Sequence, residues 1–231
     1  MNKLVVCSFE TALINSEDAI EYETMLEIDR VRKGKNYFCV ITTRDLEFIL
    51  EYNKDFPFLD YIIAYNGSYI YDVNERRILL QKKLPKTLVN KITKLFSENN
   101  LKIYTSGDID GNVIKIEIIA SDLNKLKQIY DILVNLNIEL NINIDKKQCT
   151  IEILPKGVNR ENSLIYLINK LKLNKKDIFV IGAKKEDINN IKKYKGFTVA
   201  NADKEIKNLA VFVSEKEDSK GVCNLLQKFV K

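Results

Sequence analysis

The residues best placed to do chemistry sit at the end of the first apolar run, Leu4-Val5-Val6-Cys7, where Ser8-Phe9-Glu10-Thr11-Ala12 begins. A short continuous apolar run reads as a strand covered on both faces, and in α/β proteins such strands deliver chemistry at their C-terminal ends. Ser8 offers a hydroxyl, which becomes a nucleophile only when a neighbouring base activates it. The chain has no histidine, so imidazole is excluded as general base, metal ligand and phospho-carrier. Glu10 lies two residues on and shares a face with Ser8 if the strand continues that far. A free glutamate, with a reference pKa of about 4.3, is a weak base toward a hydroxyl. Asp108-Ile109-Asp110-Gly111 is a second acidic group, but Asp110-Gly111 is a tight-turn signal between two strands and reads as a hairpin tip. Cys7, Cys39, Cys149 and Cys223 show no CxxC spacing and read as reduced, buried thiols.

The elements that must position these groups alternate. Helical spacing over 21–32 ends at Gly34. A strand follows at 37–41, a helix at 45–53, a strand at 61–64 closed by Asn66-Gly67, and a hairpin over 69–71 and 78–80. After Pro85 the pattern becomes helix 86–98, strands 102–105 and 113–119, helix 121–135, and strands 138–144 and 148–154. This αββαββ unit has the turn spacing of an antiparallel sheet. Alternation then resumes with helix 160–172, strand 178–182, helix 186–193, strands 197–200 and 210–213, and helix 219–230. The expected architecture is an α/β, Rossmann-like core with a mostly parallel sheet flanked by helices, carrying an inserted α+β cap domain. The expected bounds are 1–84 and 155–231 for the core and 85–154 for the cap.

Composition sets outer limits. A chain of 231 residues buries roughly 70% of its unfolded surface without staples. The net charge of +5 comes from 37 basic and 32 acidic residues in dispersed positions, which reads as a solvated surface and not as a nucleic-acid footprint. No apolar run approaches the ~20 residues of a membrane span. The first ten residues lack a secretory pattern, so a cytoplasmic location is expected.

Ordered landmarks along the whole chain resemble the Cof-like branch of the haloacid dehalogenase superfamily. They are residues 3–15, Val40-Ile41-Thr42-Thr43-Arg44, Ile63-Ala64-Tyr65-Asn66-Gly67, Pro155-Lys156-Gly157-Val158-Asn159-Arg160, Val180-Ile181-Gly182-Ala183-Lys184-Lys185-Glu186-Asp187, and Thr198-Val199-Ala200-Asn201-Ala202. Each is weak alone, but their order and spacing are specific. The resemblance implies a magnesium-dependent phosphatase frame acting on sugar phosphates and related small molecules.

It also marks departures. Ser8 stands at the position of the nucleophilic aspartate and Glu10 at that of the acid aspartate. Thr42 keeps the phosphate-binding hydroxyl, with Thr43 beside it. Arg160 takes the place of the phosphate-neutralising lysine, with Lys156 close enough in sequence to compete for that role. Ala183 replaces a magnesium-ligand aspartate, and Asp187 survives. Magnesium prefers near-octahedral oxygen ligands, usually including carboxylates. The loss of carboxylates at 8 and 183 therefore leaves its ligand set incomplete, with Asp187 a weak remnant, and no cofactor is expected. A glutamate at 10 also displaces its oxygens by about 1 Å, beyond the tolerance of such a site. The expectation is a catalytically impaired pseudo-phosphatase holding a small phosphorylated or anionic ligand on Thr42, Thr43 and Arg160, with Lys184 a further candidate and no nucleic-acid or membrane partner. The alternatives are an active hydrolase with altered catalytic groups and a scaffold or regulatory interaction protein.

Overall fold

The structure is a computed structural model, which describes residues 2–54, 56–97, 101–108, 111–136 and 139–230. The chain divides into two compact units, Met1–Leu80 with Arg160–Lys231, and Gln81–Asn159. The expected insert, 85–154, lies within the second unit. That unit extends further on both sides because Leu84 N–H bonds the Val113 carbonyl and the Asn141 amide donates to the Val158 carbonyl.

The first unit is built on an eight-stranded sheet ordered β12-β11-β10-β1-β2-β3-β4-β5. Its strands are β1 (Leu4–Ser8), β2 (Tyr37–Ile41), β3 (Tyr61–Ala64), β4 (Tyr69–Asp72), β5 (Arg77–Gln81), β10 (Ile178–Ile181), β11 (Lys195–Thr198) and β12 (Phe212–Val213). From β12 to β3 every pairing is parallel, and β4 turns antiparallel on β3. β1, β3 and β10 are buried at every residue, which is why they read as unbroken apolar runs. One layer of core joins Leu4, Val6, Cys39, Ile41, Ile63, Ile178 and Val180 to Leu164 and Leu167 of α5 (Arg160–Leu171).

Strand order reverses on either side of β1. Chain progression runs through β2 and β3 to one side and through β10, β11 and β12 to the other. Such a switch point opens a crevice at the carboxyl ends of the strands. Ser8 pairs in register with Ile41, and Cys7 with Ile181, so the segments following β1, β2 and β10 emerge together.

A partly buried ion pair ties the frame of this unit. Arg32, in α1 (Tyr22–Lys33), donates from Nε and Nη2 to the two carboxylate oxygens of Asp60, each at 3.0 Å. Asp60 also accepts from the Phe38 N–H at 2.8 Å and the Asn74 amide at 3.0 Å. One carboxylate thereby ties α1, β2 and the turn between β4 and β5.

The second unit is a four-stranded sheet ordered β6-β7-β9-β8, antiparallel throughout: β6 (Lys102–Gly107), β7 (Val113–Ile119), β8 (Leu140–Asp145) and β9 (Thr150–Pro155). Along β7 full and partial burial alternate, as expected where only one face is covered. Ile116, Ile118, Ile151 and Ile153 pack with α3 (Lys86–Ser97) through Ile92 and Phe96, and with α4 (Leu123–Asn135) through Leu126, Ile129 and Leu133.

Several sequence expectations need correction. The residues after β1 form a single π-helical turn, Phe9–Leu13, and not an open loop, so the strand does not carry Glu10 onto the face of Ser8. Gly34 does cap α1, but with φ −73°; the left-handed residue is Lys35, at φ 61°. A strand expected at 197–200 runs at Lys195–Thr198, and α7 (Lys204–Leu209) falls where the sequence pattern predicts no helix. The helix expected at 186–193 is a 3-10 turn, Lys185–Asp187, followed by α6 (Ile188–Lys193). Cys7 and Cys39 are buried thiols, whereas Cys149 and Cys223 are partly exposed. At the expected hairpin tip, Asp108 exchanges backbone bonds with Gly111 and Asn112, and Gly111 has φ +75°; Ile109 and Asp110 lie outside the described residues.

Removing the Asp60 carboxylate strands a largely buried guanidinium and an orphan N–H. Asp60→Ala is expected to cost about 3–5 kcal/mol, read as a lower urea midpoint with an unchanged denaturant slope.

Candidate functional site

Ser8 ends β1 and is 3% exposed. Its hydroxyl donates to Asp187 Oδ1 at 2.5 Å. Arg160, the first residue of α5, donates from Nη1 to the same Asp187 oxygen at 2.9 Å and to the Ser8 hydroxyl oxygen at 3.1 Å. The other oxygen of Asp187 accepts from the backbone N–H of Ala183 at 3.0 Å and of Lys184 at 3.3 Å, with the Thr11 hydroxyl at 3.5 Å. Both ion-pair side chains are 4% exposed. Three residues singled out in the sequence, Ser8, Arg160 and Asp187, are thus in direct contact.

Backbone geometry makes this cluster possible. A Cβ at Gly182 would lie 2.5 Å from Asp187 Cβ and 2.6 Å from its Cγ, so only glycine lets the Asp187 side chain fold back over the end of β10. Thr198 locks that segment by donating to the Gly182 carbonyl at 2.7 Å. On the other side, Arg160 Nε donates to Asn66 Oδ1 at 2.9 Å. Asn66 belongs to a run of left-handed residues: Tyr65 at φ 50°, Asn66 at φ 52° and Gly67 at φ 110°. Asparagine and glycine tolerate that region, but a tyrosine there is strained. The turn is held by Asn66 N–H on the Thr42 carbonyl at 2.9 Å, Tyr65 N–H on the Arg44 carbonyl at 3.1 Å, and Ser163 Oγ on the Gly67 carbonyl at 2.7 Å.

A second cluster forms at the end of β2. Glu10 Oε1 accepts from the Thr42 hydroxyl, from the Thr43 N–H at 2.9 Å and from the Thr43 hydroxyl at 3.1 Å. Thr42 is fully buried, and its oxygen also accepts from the Arg44 N–H at 2.9 Å. The donors expected to meet a ligand anion are therefore engaged by the chain's own carboxylate.

The two clusters communicate by charge. Burial alone would push the Arg160 guanidinium's pKa down, but the carboxylates of Asp187, Glu10 and Glu186 reverse this and hold it up. Desolvation raises the pKa of Glu186, against the pull of Arg160 and with repulsion from Asp187 and Glu10. The outer part of Glu186 is open to solvent, so screening keeps this effect small. Burial, followed by the Asp187 charge, pushes the Cys7 thiol well up, which makes it an inert neighbour.

Other expected participants lie elsewhere. Lys156 is exposed and pairs with Glu139 in the second unit, which leaves Arg160 as the cation of the Ser8 cluster. The Lys184 ammonium pairs with Asp203 at 2.9 Å and only its backbone N–H joins the site. Asn66 and Glu186 belong to landmarks visible in the sequence, but nothing in their spacing marks them as neighbours of Arg160. Among the described residues no group of three or more carboxylate or thiol side chains could hold a metal ion.

This arrangement sits within a known class. A sequence model of the haloacid dehalogenase-like hydrolases matches residues 5–116 and 105–226, and the chain belongs to that family. It is 24% identical over 242 residues to 5-amino-6-(5-phospho-D-ribitylamino)uracil phosphatase YcsE of Bacillus subtilis (strain 168), a match covering 99% of this chain and 96% of the relative. Its fold is similar to that of a haloacid dehalogenase-like hydrolase from Bacteroides thetaiotaomicron, with a TM-score of 0.89, 20% identity and 99% of each chain covered. A haloacid dehalogenase-like hydrolase from B. subtilis gives a TM-score of 0.82 at 15% identity, covering 98% of this chain and 99% of that one. No helix among the described residues is long and apolar enough to cross a membrane.

Gly182→Ala tests how the site is assembled. The added methyl must displace Asp187, and overpacking of this kind costs about 1–3 kcal/mol. The variant is expected to lose that stability in urea. The same loss should be absent in Gly182→Ala/Asp187→Gly relative to Asp187→Gly alone, because only glycine at 187 removes the Cβ that the new methyl meets, a double-mutant cycle that isolates the contact.

Proposed function

We propose that this chain is a pseudo-phosphatase: a haloacid dehalogenase-like protein that holds a small phosphorylated ligand without hydrolysing it and without a metal. The observation that carries this reading is the Arg160 guanidinium, bonded at once to Ser8 Oγ and Asp187 Oδ1. Magnesium needs free oxygen ligands. Here one Asp187 oxygen is taken by a hydroxyl and a guanidinium, the other by two backbone N–H groups, and residue 183 offers only a methyl. The residues present do not fit the ion. A fixed cation already bonds both Ser8 and Asp187, and a planar guanidinium suits phosphoryl oxygens. The named relative acts on a phosphorylated ribityl compound, which favours a small phosphomonoester as the ligand class.

Ser8 is poorly set up to attack phosphorus. The carboxylate that would take its proton, Asp187, already accepts from Arg160 and from two backbone N–H groups, which weakens it as a base. The same 2.5 Å contact supports a second reading, a hydrolase using Ser8 with Asp187 as base.

Calorimetry with a panel of sugar phosphates, in chelator and then with magnesium, separates these readings. Binding at millimolar concentration or tighter, unchanged by magnesium and at least tenfold weaker in Arg160→Lys, is the expected result, since charged fork geometry is worth more than a point charge. No binding at millimolar ligand would remove the proposal. Turnover lost in Ser8→Ala, with phosphate found on Ser8 by mass spectrometry, would establish the hydrolase instead.

A further inference from the structure

Two buried polar atoms of this site have no hydrogen-bond partner: Arg160 Nη2 and Glu10 Oε2. One can only donate and the other, ionised, can only accept. Leaving such atoms unmet is costly, at about 1–3 kcal/mol each or more when charged. Arg160 is 4% exposed, and its other two nitrogens are fixed by Asn66, Ser8 and Asp187, so the direction of Nη2 is set. Glu10 is fixed in the same way, because Oε1 is clamped by the Thr42 hydroxyl and by the N–H and hydroxyl of Thr43.

That clamp decides what can bind. The Thr42 and Thr43 donors would suit any oxyanion, but Glu10 occupies them. A ligand that reached both atoms would meet a donor on Arg160 and bare lone pairs on Glu10. An oxyanion with no proton can satisfy the first and is repelled by the second. An oxyanion carrying one proton satisfies both.

We propose that the site selects a singly protonated phosphoryl group, one of whose oxygens accepts from Arg160 Nη2 while its P–OH donates to Glu10 Oε2. This deepens the phosphate-binding reading above and rests on it. Sulfate has the same shape and no proton at neutral pH, so it should be rejected. Sites built around a buried polar partner discriminate by large factors against analogues that leave it unmet. The charged groups coupled to one another around this pair of atoms are Glu10, Arg160 from α5, and Asp187 and Glu186 from the turn before α6.

The test is calorimetry on the full chain in chelator, with methyl phosphate and sulfate as probes, between pH 6 and 8.5. Methyl phosphate is expected to bind at least about 100-fold more tightly than sulfate near pH 6. Its affinity should fall about tenfold per pH unit once the medium passes its second pKa of about 6. In Glu10→Gln the side-chain carbonyl keeps the Thr42–Thr43 clamp and the amide N–H₂ takes the place of Oε2. That variant should bind sulfate at least as well as methyl phosphate, and the affinity for methyl phosphate should no longer fall as the pH rises. Glu186→Gln should keep the wild-type profile; if it flattens the profile, the dependence belongs to Glu186 and the inference falls. Equal binding of both probes with a flat profile also overturns it, while leaving the phosphate reading intact. Binding of both probes only in Glu10→Gln would mean that Glu10 blocks the site, and the selection would again be overturned. No binding in either protein would sink the phosphate reading itself.

Discussion

The ion pair between Arg160 and Asp187 is the interaction on which the site's geometry depends. Both side chains are almost wholly removed from water. Charges so placed persist only when geometry and extra hydrogen bonds offset their desolvation. The surroundings supply those bonds: Ser8, Ala183 N–H and Lys184 N–H on the carboxylate, and Asn66 and Ser8 on the guanidinium. Each supporter imposes a further demand. Ala183 and Lys184 reach Asp187 only because Gly182 has no side chain. Asn66 reaches Arg160 only from a left-handed turn that also strains Tyr65. The pair thus organises the ends of β1, β3 and β10 and the start of α5.

The second constraint is that the chain's own carboxylates already occupy the places where donors converge. Glu10 sits on Thr42 and Thr43, and Asp187 sits on Ser8, Arg160 and two backbone N–H groups. An incoming anion therefore competes with tethered ones. Among the described residues of these two clusters, one guanidinium nitrogen and one carboxylate oxygen are left without a partner. The site's character follows from the few hydrogen bonds left unmade, more than from its net charge.

Most of the fold is legible in the sequence because its central strands are buried on both faces, and a short apolar run bounded by turn residues is the mark of such a strand. The expected spans of β1, β2, β3 and β10 agree with the structure to within a residue or two. The failures cluster beyond β10. β12 is only two residues long. α7 has six residues, too short for helical periodicity to declare itself, and its Asp203 start looks like ordinary surface. The π-helical turn after β1 carries no local signal either, since its form depends on Ala12 and Leu13 burying into the core. The ordered landmarks mark out residues of the site, but not which of them touch. Ser8 and Asp187 are 179 positions apart and Arg160 and Asn66 are 94 apart, so only the sheet topology brings them together. The expectation that the Lys156 or Lys184 ammonium shares the site fails for a related reason: each has a closer carboxylate, Glu139 and Asp203.

The identities at 8, 160 and 187 are coupled. Ser8 Oγ lies 2.5 Å from Asp187 Oδ1, a separation that is favourable because one atom brings a proton. A carboxylate oxygen at that position would face another carboxylate oxygen, and two like charges so close cannot both remain ionised without a cation between them. A divalent ion answers that need in a metal-dependent site; here the guanidinium contributes one positive charge and is already matched by Asp187. A hydroxyl at position 8 is therefore the group that this arrangement accommodates without metal. Ser8 belongs to a self-consistent set with Arg160 and Asp187, held together by a hydroxyl hydrogen bond and an organic cation.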